Sequence, residues 1–217
     1  MDLRAVVFDY GMVLSAPLDP QARRGMIATT GLSPEVFDHY YWSNRHDFDR
    51  GALDGQAYWQ KIARDTDIRL SEEQVNHLLT LDAYGWMSLN EPALAWAQQV
   101  QAAGMKTGIL SNIGDTQVVE MKRQFGWLKD FNHCTWSYEL KMAKPEPEIY
   151  RYTVAKLGVA PEQALFLDDR AENIRGAESV GMCGFVFRNM QQLVEDLKAH
   201  GLDRLLPIPL ALDPQAV

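Results

Sequence analysis

Residues 5–14 read AVVFDYGMVL: four apolar side chains run straight into Asp9, and Gly11 follows two positions later. An apolar stretch without alternation is a strand buried on both faces, as in a parallel sheet. A carboxylate at the end of such a strand loses hydration, so it must be paired, bound to a metal or reactive. The same design returns downstream. KTGIL at 106–110 runs into Ser111 and Asn112, and ALFL at 164–167 runs into Asp168 and Asp169. Helical patterns separate these strands. Asn90-Glu91-Pro92 opens one that Gly104 closes; others cover 114–125, 147–157, 171–180 and 190–200, with short strands at 132–136 and 183–187. This alternation predicts an α/β fold, a Rossmann-like parallel sheet core with helices on both faces.

Residues 16–88 break the alternation. They hold no strong strand and several helix signals: Ser33-Pro34-Glu35 is a cap, a first-turn proline and a first-turn acid, and Ser71 with Gln74 is a capping box. The expected organisation is a core of residues 1–15 and 89–217, with 16–88 as an inserted α-helical cap after the first strand. Residues 203–217, with three prolines, read as irregular.

The chain has 217 residues, 47% hydrophobic and 23% charged, with a net charge of −8. No Lys/Arg run stands out, which argues against nucleic acid or an anionic membrane as partner. Cys134 and Cys183 form no CxxC and read as small buried thiols. No run approaches the ~18 apolar residues of a spanning helix, and the first apolar run is too short for a signal-peptide core. The expectation is a cytoplasmic protein, monomer or homodimer. An acidic chain that handles an anionic substrate needs local positive charge from a metal, a lysine or a helix N-terminus.

In open α/β sheets ligands bind beyond the carboxyl ends of the strands. Those ends carry Asp9, then Ser111 and Asn112, then Lys144 in KMAKPEPEIY, then Asp168 and Asp169. Each alone has an ordinary explanation: an aspartate caps a helix, Ser-Asn starts one, Lys-Pro lies on a surface. Together they place three carboxylates, a hydroxyl and a lysine on one edge of one sheet.

In order, these residues resemble the four motifs of the haloacid dehalogenase superfamily. LSNIGD (110–115) and KPEPEIYRYTVAKLGVAPEQALFLDDRAENIRGAESVGM (144–182) carry the resemblance most specifically. They are similar to the branch holding sugar-phosphate phosphatases and the N-terminal phosphatase domain of soluble epoxide hydrolases. FDRGALDGQAYW (48–59) resembles that branch's cap pattern. The resemblance implies a Mg²⁺-dependent phosphatase that acts on a small phosphorylated metabolite through an aspartyl-phosphate on Asp9. Mg²⁺ is expected on Asp9, the Gly11 carbonyl and Asp169, with Asp168 beside them and Asn173 behind. Lys144 would neutralise Asp9 and the phosphoryl group. Ser111, Asn112 and the N–H groups that follow would hold the phosphate. Lys141 and Arg170 read as solvated surface charges.

The pattern departs at Gly11, where most family phosphatases carry a second aspartate that protonates the leaving oxygen. Such acid–base catalysis is worth about 10²–10⁴-fold, so poor leaving groups should suffer most. His46 and Asp47 in the cap are candidates for the missing acid. Two alternatives stay open: a metal-independent 2-haloacid dehalogenase, and a catalytically weakened phosphate-binding protein. Family dehalogenases lack the paired late acids, so Asp168-Asp169 favours the phosphatase. Among the cap aromatics Tyr40, Tyr41, Trp42, Phe48, Tyr58 and Trp59, half or more are expected to form the cap's own core, leaving others to stack on a sugar ring or apolar tail.

Overall fold

The computed structural model describes residues 2–209. β1 (Ala5–Phe8) is followed by a tight turn over Tyr10–Leu14, closed by the Ser15 N–H donating to the Tyr10 carbonyl at 2.8 Å. Five helices come next: α1 (Pro20–Thr30), α2 (Pro34–Ser43), the short α3 (Arg45–Asp49), α4 (Gly55–Asp65) and α5 (Glu72–Gly85). Alternation then begins with α6 (Glu91–Ala102), β2 (Lys106–Ser111), α7 (Asp115–Gln124), β3 (His133–Trp136) and the single turn α8 (Ser137–Leu140). It continues with α9 (Pro147–Leu157), β4 (Ala164–Asp168), α10 (Ala171–Ser179), β5 (Cys183–Val186) and α11 (Met190–Ala199).

The five strands form one parallel sheet in the order β3-β2-β1-β4-β5. β1 lies at the centre, with Phe8 level with Ile109 of β2 and Leu167 of β4. The period of two sends Val6, Phe8, Ile109, Leu165 and Leu167 to one face, against Trp96, Val100 and Leu197 of α6 and α11. Ala5, Val7, Leu110 and Phe166 face the other side, against Ile149, Tyr150 and Ile174 of α9 and α10. Both faces are covered, as the unbroken apolar strands require.

The helical insert has a core of its own, built on Met26, Phe37, Tyr41, Phe48, Tyr58, Trp59, Ile62, Val75 and Leu78. Its helices start where capping chemistry allows: Ser33 accepts from the Val36 N–H, and Ser71 and Gln74 cap reciprocally. Two adjacent segments join the insert to the sheet. Ser15 and Leu89 form an antiparallel bridge, the Ala16 N–H donates to the Ser88 carbonyl, and the Tyr10 hydroxyl donates to the Trp86 carbonyl at 2.6 Å. The last described segment holds one 3₁₀ turn at Leu202–Arg204; residues 210–217 lie outside the described residues. No described helix is long and apolar enough to cross a membrane.

Candidate active site

β1 ends on Asp9, buried to 7% exposure, whose N–H donates to the Leu167 carbonyl at 2.8 Å and whose Oδ1 accepts from the Tyr10 N–H at 2.7 Å. The chain then turns sharply. Gly11 keeps an ordinary φ of −60°, and the strain falls on Met12, at φ 61°. Lys144, on the loop between α8 and α9, reaches back under the sheet edge. Its ammonium lies 2.8 Å from Asp9 Oδ1 and 2.6 Å from Asp168 Oδ2. The Asn112 side chain aims this lysine. Its Nδ2 donates to the Lys144 carbonyl at 2.9 Å and its Oδ1 accepts the Lys144 N–H at 2.8 Å. Asn112 was expected on the substrate; both ends of its side-chain amide are engaged by the lysine's main chain.

Asp168 ends β4 fully buried, with every oxygen engaged. It accepts from Lys144, from the Arg170 N–H at 2.8 Å and from Asn173 Nδ2 at 2.9 and 3.0 Å. Asn173 thus stands behind Asp168, where the sequence placed it. Asp169 is half-buried beside them, and one oxygen each of Asp9, Asp168 and Asp169 lie within 4.8 Å of one another. Ser111, at 3% exposure, closes the group at the end of β2.

Three carboxylates therefore crowd one ammonium. Burial pushes Asp9 up to about 8; Lys144 opposes this, while Asp168 and Asp169 add to it. Burial and the neighbouring Asp168 also raise Asp169. Burial acts most strongly against the Asp168 charge too, but Lys144, the Arg170 N–H and Asn173 together hold that carboxyl below the usual range. Lys144 itself is driven down by desolvation and up, by a larger amount, by Asp168 and Asp9. An all-oxygen set with a deficit of positive charge fits a hard divalent cation such as Mg²⁺.

The insert covers this edge through the segment 48–51. The Phe48 ring packs flat on Gly114, where a Cβ would collide with it. The Asp49 carbonyl accepts from Ser137 Oγ, which in turn accepts the Ile113 N–H at 2.8 Å. Arg50 pairs with Glu146, and Lys141 donates to the Gly51 carbonyl. Lys141, read as a solvated charge, is thus a tie between insert and sheet, while Arg170 pairs with Glu172 at the surface. His46 and Asp47, the expected substitutes for the missing acid, are both exposed. Tyr41, Phe48, Tyr58 and Trp59 belong to the insert's core, and Trp42 is 51% exposed. Cys134 and Cys183, read as buried thiols, are half-buried, and burial pushes the Cys134 thiol up to about 12.

The sequence reading gave Asp49 no role, although it lies inside the quoted stretch FDRGALDGQAYW.

Comparison with known proteins places the chain. A phosphatase of Mycobacterium tuberculosis (strain CDC 1551 / Oshkosh), MT3486, is 26% identical over 211 residues, 93% of this chain and 96% of its own. Bifunctional epoxide hydrolase 2 of Sus scrofa is 29% identical over 256 residues, covering 100% of this chain but 43% of the hydrolase. The enzyme bt-2542 of Bacteroides thetaiotaomicron, solved with magnesium and inorganic phosphate, shares the fold at a TM-score of 0.70 and 19% identity, over 88% of this chain and 98% of its own. The haloacid dehalogenase-like hydrolase model matches residues 13–181, beginning just past Asp9, so the role of that carboxylate rests on its geometry. With most of its length matched, the chain belongs to the haloacid dehalogenase-like hydrolase family.

Proposed function

We propose that this hydrolase is a Mg²⁺-dependent phosphatase of a small phosphorylated metabolite. The carrying observation is the ammonium of Lys144 set between Asp9 and Asp168, with Asp169 beside them. Asp9 would hold Mg²⁺ with Asp169 and the Gly11 carbonyl, and Asp168 alongside; the ion would supply the positive charge that a dianionic phosphate needs in this acidic cluster. Asp9 Oδ attacks phosphorus in line with the departing oxygen. Lys144 stabilises the charge on the transferring group, and Ser111 with the N–H groups after it holds the phosphate oxygens. The phosphatase name of the mycobacterial relative and the magnesium and phosphate bound to bt-2542 support this reading. Paired acids after β4 have little reason to be adjacent in a dehalogenase, which needs no metal.

The test is phosphate release from a panel of phosphorylated metabolites with Mg²⁺ and with EDTA. Release should require Mg²⁺ and vanish in the nearly isosteric Asp9→Asn. Chloride release from a 2-haloacid in EDTA, with no phosphate release, would overturn the reading.

A further inference from the structure

Gly11 leaves this site without a proton donor on the β1 loop, yet a Cβ there meets nothing within 4 Å. The open space at Gly11 leaves room for an acid arriving from elsewhere. The insert brings one. On either side of Asp49, the segment seats on the core stretches that follow β2 and β3, the same stretches that carry Ser111 and Lys144. Phe48 lies on Gly114, the Asp49 carbonyl is held by Ser137, and Arg50 pairs with Glu146, two residues past Lys144.

The Asp49 side chain is 15% exposed, and the Lys144 charge acts on it. Arg45 Nε lies 2.9 Å from Asp49 Oδ1, but out of line, so this buried oxygen accepts no hydrogen bond. The Arg45 guanidinium is shared: its Nε faces Asp49, while its Nη1 donates to both oxygens of Asp82, at 3.1 and 3.0 Å. Asp82 is fully buried and also accepts from the Tyr41 hydroxyl and from Gln117. Asp82 therefore has no oxygen free for chemistry. Glu146 is held by Arg50 and the Ala143 N–H.

We propose that Asp49, reaching from the helical insert, is the general acid and base of this site, in place of the carboxylate that Gly11 lacks. The proposal rests on the phosphatase reading. As the Asp9 oxygen–phosphorus bond forms, the phosphorus–oxygen bond to the leaving group breaks, and its electron pair stays on that oxygen. Asp49 gives its proton to the same oxygen, which departs as an alcohol. The Asp49 carboxylate then takes a proton from water as the water oxygen attacks phosphorus. Asp9 leaves as a carboxylate, inorganic phosphate departs, and Asp49 is again protonated.

The surroundings suit both roles. Arg45, Asp82, Tyr58 and Lys144 are the charged and titratable groups facing Asp49. Burial pushes its carboxyl up to about 7, Arg45 opposes that push, and Asp82 adds to it. A group poised near the working pH can give a proton in one step and take it in the next. It also makes the closed insert a condition of catalysis, because the acid arrives only when Phe48 and Asp49 are seated.

The experiment is a series of aryl phosphates (4-nitrophenyl, phenyl, 4-methoxyphenyl) hydrolysed with Mg²⁺. In the wild type, log kcat/KM should be nearly flat against leaving-group pKa. In Asp49→Asn the slope should turn steep: a loss of about 10²-fold or more on 4-methoxyphenyl phosphate and under about 10-fold on 4-nitrophenyl phosphate. The alkaline limb of the pH profile should go with it. Adding Gly11→Asp to Asp49→Asn should restore the flat line. An equal loss on all three substrates, or none, overturns the proposal. So does a steep slope in the wild type, which needs no variant to fold. A wild type that releases no phosphate from any of them overturns the phosphatase reading instead.

Discussion

With Lys144 in place, Asp9 and Asp168 share one ammonium inside the protein, both within 2.8 Å of it. Lys144→Met keeps the stem and removes the charge, leaving buried carboxylates without a counter-charge. Breaking such a pair costs ~3–5 kcal/mol, so the variant should melt roughly 10 °C lower in EDTA. Mg²⁺ should restore much of that difference while turnover stays down by about 10³-fold or more. Calorimetry with and without metal checks this, and equal melting in EDTA would place the lysine outside the cluster. Asp49 carries a second prediction, with the opposite sign. Its folded value of about 7 lies above the ordinary 3.8. A raised value stabilises the fold below pH ~4, and that contribution is lost as the pH rises through about 7. Asp49→Asn mimics the protonated form. It should melt with the wild type near pH 4 and on the order of 5 °C above it at pH 8, a gain in stability bought with activity. A melting difference that grows toward acid would refute the assignment. Asp9, Asp168 and Asp169 could be picked out in the sequence because each ends or follows an apolar run where charge is out of place; Lys144 stood out only through its place in the order of motifs. Asp49 was not picked out. Its burial comes from contacts with Ser137 and Arg45, and HDFDR shows no apolar run to mark it.

At the scale of elements, α3 is one of the contacts through which the insert meets the core. Phe48 reaches the core only because Gly114, the N-cap of α7, has no side chain. Gly114→Ala sets a methyl where that ring lies. Overpacking of this kind costs ~1–3 kcal/mol when the neighbours cannot yield. Phe48 is buried in the insert's core and stacked on Tyr58, so the ring yields only if α3 shifts with it. The expected outcome is a fall in melting temperature of roughly 5 °C, with a fall in kcat/KM of roughly tenfold as the insert seats less well. Steady-state kinetics beside calorimetry checks this; a large loss of stability with unchanged kinetics would show that the contact only packs. The strands and most of the long helices followed from periodicity and caps; α1 was not singled out. α3 and α8 did not follow from them, since five- and four-residue helices carry too little pattern to separate them from turns. The pairing of the Asn112 amide with the Lys144 main chain, thirty-two positions away, was not legible either, because no local pattern marks it.

For the whole molecule, the α/β class and both covered faces were readable because a parallel sheet demands apolar strands, and helices must cross between them. Where the insert rests on the sheet was not readable, since that depends on distant surfaces meeting through polar ties such as Gln117 to Asp82. The strand order has one more consequence, for the way the chain assembles. β1 sits between β2 and β4, and both lie beyond the insert in sequence. Its AVVF segment therefore has two open edges in every partly folded state until distant partners arrive, which is the slow and aggregation-prone part of such topologies. The insert's contacts are mostly local by comparison, so its helices can form early. Once folded, they bring Ser15 against Leu89. That collapses a long loop into a short one and lowers the entropy lost when β1 reaches β2. The helices that roof the finished site also serve, during folding, as the splint that holds the sheet's first strand near its partners.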